Sequence, residues 1–283
     1  MVIAAHPDDE GIFFGGTLPY YTQTLNLPVT FICMTVNWLK SDGTQNRASK
    51  AREMEMKEAA WRYGLRTKPL FAYFQQNIRY WPIEKTWDRW ADNKLNWNDI
   101  KEGKERASKY IAEQIRLYKP EVIITHGFNG EYGNPDHKAL ALAVTAAYDL
   151  AADRNATIGD STIIPENLSG SPWQTKKLYV HYSNEKENYI NNLFHDYWET
   201  GPRDVANYAL SAHESQGRHY VSSVYDNRGR KGFNRYPSEL WTLYRSEVGP
   251  DKIISSFTIQ SDIEDKTFEN WARGDFLQNL PGQ

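Results

Sequence analysis

A chain of 283 residues, 40% of them hydrophobic, is long enough to bury a substantial core and to fold alone. Its 33 basic and 36 acidic residues leave a formal charge of -3 with no basic stripe, which argues against a nucleic-acid partner. No apolar run approaches the ~20 residues of a membrane helix, and the N-terminus lacks the basic region and apolar core of a signal peptide. The chain is therefore expected to be soluble and cytoplasmic by default, with export behind a removed leader as the alternative.

The elements follow in chain order. Val2 to Ala5 reads as a short buried strand that runs directly into the polar cluster His6-Pro7-Asp8-Asp9-Glu10. Gly15-Gly16-Thr17 through Tyr21 opens a short crossover helix, and Val29 to Val36, rich in β-branched and aromatic residues, is a second strand. Cys33 lies inside that strand; the only cysteine of the chain, it is read as a small core residue. A helix is expected over about Arg47 to Tyr63, where Ala48, Ala51, Met54, Trp61 and Leu65 recur at helical spacing and Gly64 supplies the cap. Leu70 to Phe74 is a third strand. The polar stretch that follows, to about Asn98, carries Trp81, Trp87, Trp90 and Trp97 among charges and reads as an elaborated loop or lid.

Glu105 to Tyr118 returns to helical period and stops at Pro120, and Val122 to Thr125 forms another strand. His126 to Asn134 is a glycine-rich loop. Pro135 suits the first turn of a helix running to about Leu150, with Leu142, Ala143 and Ala146 on its inner face. Beyond a turn-rich connection come a strand at Leu178 to Tyr182, a helix at Arg203 to His213 and a short apolar segment at Leu240 to Tyr244. Strands alternating with helices predict an α/β, Rossmann-like three-layer fold with a mainly parallel sheet. The active site of such a sheet is expected at the carboxyl ends of its strands. No repeat or linker interrupts the chain, so residues 1–283 are read as one domain. It carries an aromatic-rich insertion at about 75–100 and a C-terminal elaboration from about 175.

Both polar clusters fall at strand ends. His6 and Asp9, three residues apart where a strand turns into a helix, can turn an imidazole and a carboxylate onto one ion while Asp8 points elsewhere. His137, in the first turn of the helix opened by Pro135, can supply a third ligand. Two histidines and a carboxylate with an open fourth position is a common catalytic zinc arrangement. Asp8 then has the role of general base, and Tyr132 can donate to a developing oxyanion.

Ala5-His6-Pro7-Asp8-Asp9-Glu10 and Gly130-Glu131-Tyr132-Gly133-Asn134-Pro135-Asp136-His137 resemble the two signature motifs of the PIG-L / LmbE-like zinc-dependent N-deacetylases. Arg52, Glu55, Ala59 and Gly64 are similar to a spaced helix of that family, and Ala212-His213-Glu214-Ser215-Gln216 to its later Ala-His-x-Ser-Gln element. The likeness covers roughly the first half of the chain and one island in the second. It implies a hydrolase that removes an acyl group, usually acetyl, from an amino sugar, glycan or glycoconjugate.

Carried over by position, His6, Asp9 and His137 are the ligands of one zinc ion per chain, with Fe2+ or another divalent metal as the alternative. Asp8 is the base, Tyr132 the donor to the substrate carbonyl, Asp136 the carboxylate that tunes a neighbouring histidine, and Arg52 a residue near the substrate. Asn134 departs from the family, which commonly has histidine there; asparagine donates a hydrogen bond but cannot exchange a proton. Proton delivery then falls to Asp8, alone or helped by His126 or His213. The departure also motivates a rival, a carbohydrate-binding metalloprotein of the same fold with weak or no catalysis. A facial triad of His6, Asp8 and a distant histidine in an iron oxygenase is a second rival, disfavoured because that triad usually sits in a β barrel.

Overall fold

Along each central strand, successive side chains enter opposite cores. Ile3 and Ala5, Ile32 and Met34, Ala72 and Phe74, Ile123 and Leu178 enter one core; Val2 and Ala4, Phe31 and Cys33, Ile124 and Tyr179 enter the other. A strand apolar on both faces has to be covered on both, which is the condition of a parallel sheet between helical layers. The computed structural model describes residues 1–14, 17–36, 47–77, 82–91, 102–131, 133–154, 168–181, 188–189, 202–216, 240–249, 256–260, 267–272 and 280.

The strands β1 (Val2–Ala4), β2 (Phe31–Thr35), β3 (Leu70–Phe74), β4 (Val122–Thr125), β5 (Lys177–His181), β6 (Asn188–Tyr189) and β7 (Leu240–Ser246) form one sheet in the order β3-β2-β1-β4-β5-β7-β6. The first five are mutually parallel, whereas β7 runs antiparallel to β5 and to β6. A separate antiparallel pair joins β8 (Ser256–Gln260) and β9 (Thr267–Ala272). The chain leaves β1 toward β2 and β3 on one side and returns to β4 and β5 on the other. The order therefore reverses between β1 and β4, where open α/β sheets form a crevice at their carboxyl edge.

One layer comprises α4 (Ile83–Ala91), α5 (Gly103–Tyr118) and α6 (Pro135–Ala152); the other comprises α1 (Asp9–Ile12), α2 (Thr17–Pro19), a π-helical turn over Tyr20–Thr24, α3 (Arg47–Arg62) and α7 (Pro202–Leu210). The expected strands and helices in the described residues are present, and Cys33 is a buried free thiol in the second core. Gly64 closes α3 at φ +80, a left-handed conformation that a side chain would strain.

Three expectations need correction. Leu142 is exposed and Ala146 only half-buried: α6 turns Leu140, Ala143, Val144 and Ala147 inward, a stripe one residue out of phase with the expected one. The apolar stripe of α3 likewise faces water at Met54 and Trp61, while Ser49, Arg52, Met56 and Ala59 are buried: Met56 and Ala59 enter the second core and Arg52 reaches the turn after β1. The tryptophan-rich stretch is also more than a loop. It contains α4, held by a fully buried Trp90 that packs 5.3 Å from Phe74 and 5.4 Å from Trp87. Trp81, Trp97, Gly15, Gly16 and Tyr182 lie outside the described residues.

Candidate metal centre

β1 ends at Ala4, and the next residues turn sharply. Asp8 adopts φ 105, a left-handed backbone that is uncommon for a residue with a side chain and costs of order 1–3 kcal/mol. The turn is held by its own carboxylates: the His6 N–H donates to Asp9 Oδ2 at 2.7 Å and the Asp8 N–H to Glu10 Oε2 at 2.9 Å. One consequence is that Asp8 and Asp9 face different partners. Asp9 meets His6, His126 and His137, whereas Asp8 lies 3.5 Å from the Arg52 guanidinium of α3. Arg52 also donates to Pro7 O and to Gln76 Oε1, which locks α3 against the turn.

The second half comes from the loop after β4. Asn134 is the N-cap of α6: its side-chain oxygen accepts from the Asp136 N–H at 2.8 Å and the His137 N–H at 3.4 Å, and Pro135 fills the first helical position. This orients His137 toward β1. His6, Asp9 and His137 converge, with one ligand atom from each within 4.8 Å of the others. His6 Nδ1 is 3.1 Å from His137 Nε2 and 3.3 Å from Asp9 Oδ2, and His137 Nε2 is 3.3 Å from Asp9 Oδ1. An ion with tetrahedral bonds of ~2.0–2.1 Å has ligand-to-ligand edges of about 3.3 Å; the two imidazole nitrogens stand near that spacing, and each has an Asp9 oxygen at the same distance, Oδ2 for His6 and Oδ1 for His137.

The outer shell is carboxylate on both sides. His6 Nε2 lies 3.1 Å from Asp136 Oδ2, and His137 Nδ1 lies 2.7 Å from Glu131 Oε2. Such partners fix the tautomer and orientation of metal-binding imidazoles. Glu131, at a left-handed φ of 57, also accepts from the Gly127 N–H at 3.0 Å and lies 3.2 Å from both His126 Nδ1 and His181 Nδ1. Aromatic rings keep this cluster dry. Phe13 stands edge-on to His126, His137 and His181, and Trp241 of β7 stacks on Phe14 and meets His181 edge-on.

Among the described residues five carboxylates are packed here, those of Asp8, Asp9, Glu10, Glu131 and Asp136, with the permanent cation Arg52 beside Asp8. Buried carboxylates need compensating positive charge, which can come from protons on histidines or from a metal ion. Burial alone would lower the His6 pKa, but the Asp9 and Asp136 carboxylates push it up to about 10. For Asp9, burial works upward and is outweighed by His137, His6 and His126, which hold the carboxyl well below its usual range. Glu131 is lowered in the same way by His126 and His137. Asp8 differs: burial raises it, Arg52 only partly offsets that, and the carboxyl rests at about 6.

His213, just beyond α7, presents Nε2 to Glu10, and its Nδ1 is buried without a hydrogen-bond partner among the described residues. Beside it, α7 presses so closely on α1 that a Cβ on Gly11 would lie 2.5 Å from Leu210 Cδ1. Of the ionisable side chains in the cluster Asp8 and Arg52 keep the most exposure, 9% and 8%, whereas those of His137, His126, Asp136 and His213 have none. The open side of the centre among the described residues is therefore the side of Asp8 and Arg52. Tyr132 lies outside the described residues.

Sequence reasoning missed Glu131, His181, Thr86, Asn77 and Trp241. Glu131 sits inside the second motif, and a carboxylate six residues before a candidate ligand histidine was a usable signal. His181 ends β5, the strand beside β4, and could have been found by asking which strand ends carry histidine. Nothing local marks Thr86, Asn77 or Trp241.

The PIG-L family, described as GlcNAc-PI de-N-acetylase, matches residues 1–148 of the 283. A 1D-myo-inositol 2-acetamido-2-deoxy-alpha-D-glucopyranoside deacetylase of Thermomonospora curvata is 29% identical over 198 residues, covering 64% of this chain and 58% of that one. Its namesake in Thermobifida fusca is 27% identical over 195 residues, covering 64% and 60%. The matches thus span less than two thirds of these relatives' lengths. Among solved structures, an N,N'-diacetylchitobiose deacetylase from Pyrococcus horikoshii aligns over 86% of this chain and 81% of its own, with TM-score 0.56 and 14% identity. A conserved protein from Thermus thermophilus aligns over 88% and 95%, with TM-score 0.53 and 19% identity. At these identities the structural likeness speaks to the fold. Since the match runs through both strand-end motifs and takes in more than half of the residues, the chain belongs to the PIG-L family.

Proposed function

We propose that this chain is a zinc-dependent hydrolase that removes an N-acyl group, usually acetyl, from an amino sugar, glycan or glycoconjugate. The observation that carries the reading is the convergence of His6, Asp9 and His137 at ligand spacing, with Asp8 beside them, outside the ligand set and on the open side. The relatives named as deacetylases of amino sugars support the substrate class. A zinc ion held by His6, Asp9 and His137 would bring the pKa of a bound water from 15.7 toward about 7 and polarise the amide carbonyl. Fe2+ or another divalent ion fits the same donors less selectively.

The rest is the work of the chain's own groups. Asp8 takes the proton of the attacking water and returns it to the leaving nitrogen, a role worth ~10²- to 10⁴-fold. Arg52 holds Asp8 in place and borders the substrate. Asp136 fixes His6, and Tyr132 is assigned, on the family motif, as donor to the substrate carbonyl. Asn134 caps α6 and keeps His137 aimed. His126 has both ring nitrogens engaged, by Glu131 and Asp9, so of the two candidate helpers His213 is the one with a nitrogen to spare. We assign the His213–Glu10 pair as a proton reservoir behind Asp8. On the same reading residues 1–283 are a single domain, the insertion and the C-terminal part each contributing to the sheet or its cover.

The test is acetate release by the zinc-loaded chain from N-acetyl amino sugars of increasing length, with Asp8→Ala as control. Release by the wild type and not by the control is expected. Silence across the panel with zinc bound favours the carbohydrate-binding rival, whose motive is the asparagine at position 134 where the family commonly has histidine.

A further inference from the structure

The helix inside the tryptophan-rich insertion reaches the metal centre. On α4, Ile83, Thr86, Trp87 and Trp90 share one face at spacings of three and four residues, and Thr86 is the polar member of that face. Trp90 anchors the helix in the core beside Phe74. One turn earlier, the fully buried Thr86 hydroxyl donates to Asp136 Oδ1 at 2.9 Å. The direction of that bond is fixed, because the Asn77 side-chain N–H donates to Thr86 Oγ1 at 3.1 Å and a carboxylate can only accept. The Asn77 backbone N–H donates to Asp136 Oδ2 at 2.8 Å, the same oxygen that faces His6 Nε2 at 3.1 Å. Donors therefore pin both oxygens of Asp136. With the carboxylate so held, His6 donates through Nε2, and its Nδ1 lone pair is the one left for an ion.

We propose that Thr86, with Asn77, is a positioning residue of the metal centre: α4 orients the Asp136 carboxylate, and through it His6, so that the insertion sets zinc affinity. This rests on the proposed function, in which His6 is a ligand. The same helix has a second tether, Arg89 donating to Gln76 O at 3.1 Å, while the Gln76 side chain accepts from Arg52 at 3.3 Å. α4 thus reaches the ligand side through Asp136 and the Asp8 side through Gln76 and Arg52.

The experiment compares the full chain with Thr86→Val, which keeps shape and removes the hydroxyl, and Thr86→Ser, which restores it. Each is stripped of metal and melted, then titrated with zinc against a chelator of known affinity. Thr86→Val is expected to bind zinc about tenfold more weakly, at the low end of the range for an outer hydrogen-bond partner because it acts through Asp136, and Thr86→Ser within about threefold of the wild type. A Thr86→Val that melts lower without metal yet binds zinc as tightly as the wild type overturns the proposal, since Thr86 would then serve packing alone. Should Thr86→Val fold poorly, 15N imidazole shifts of the zinc-loaded wild type decide the matter. A His6 proton on Nε2 is expected, and one on Nδ1 overturns it. A wild type that binds no zinc brings down the proposed function and this inference with it, whereas zinc-binding wild type with an unaffected Thr86→Val removes the inference alone.

Discussion

The two histidines that meet across the centre are each held from behind by a carboxylate, but the carboxylates are held differently. Asp136, behind His6, is fixed by an amide N–H and a hydroxyl, neutral donors rooted in the scaffold. Glu131, behind His137, sits among three imidazoles and one backbone N–H. A carboxylate held by neutral donors keeps its full charge for the one histidine it serves. One shared among imidazoles has its charge divided according to how many of them are protonated. The His6 side is accordingly a rigid mount, while the His137 side is a charge-balanced cluster, and each should fail in its own way.

The bluntest way to break the comparison is to remove a group from the reaction itself. His137→Ala is expected to abolish zinc binding at micromolar metal, a loss beyond the roughly 10- to 100-fold of an outer carboxylate. Asp8→Ala should retain zinc while turnover falls ~10²- to 10⁴-fold; metal content by atomic absorption beside acetate release separates the two. The outer carboxylates sharpen it. Glu131→Gln and Asp136→Asn should each weaken zinc about 10- to 100-fold by chelator competition. Glu131→Gln should also change how steeply affinity depends on pH, since of these two carboxylates only Glu131 faces three imidazoles. An equal pH profile for the two variants would erase the distinction drawn here.

A third effect follows from His6. Its pKa is raised from 6.5 to about 10, so its proton stabilises the metal-free fold fully below pH 6.5 and is lost as pH climbs toward 10. Zinc must displace that proton, so binding tightens with rising pH, by about tenfold per unit for each proton released. The gap in melting temperature between zinc-loaded and stripped protein should therefore widen from pH 6.5 to 9; a gap that narrows would mean the imidazole enters the site already neutral. The smallest effect belongs to the cap. Asn134→Ala should cost ~1 kcal/mol in denaturant unfolding, and Asn134→Asp much less. Asn134→His, attractive from the family pattern, should lose the cap as Ala does.

The fold was legible because a parallel sheet writes itself as apolar runs separated by helical period, and β1 to β5 follow those runs within a residue or two. The phase of α3 and α6 was harder to read. An alanine-rich helix such as α6 has nearly uniform hydropathy, so only the neighbours decide which face turns in. The convergence of His6, Asp9 and His137, the proposed ligand triad, was readable because these residues sit in two compact motifs at strand ends. The shell behind it was not, since Thr86 and Asn77 acquire meaning only when α4 folds back over Asp136, and an ordinary threonine in a helix carries no mark of that contact. Asn134 shows the converse: read against a family pattern it looked like a lost proton donor, and its local geometry gives it the work of a helix cap.

His6 and His137 are separated by 131 positions in the chain. At a synthesis rate of roughly 5–20 residues per second, about 7 to 26 s pass between the emergence of the first ligand and that of the last. Throughout that interval the His6-Pro7-Asp8-Asp9-Glu10 segment is a cluster of acids and one imidazole awaiting its counterpart. On the proposed assignment, an ion held by all three ligands can be bound only once α6 has arrived, a late event in the life of the nascent chain.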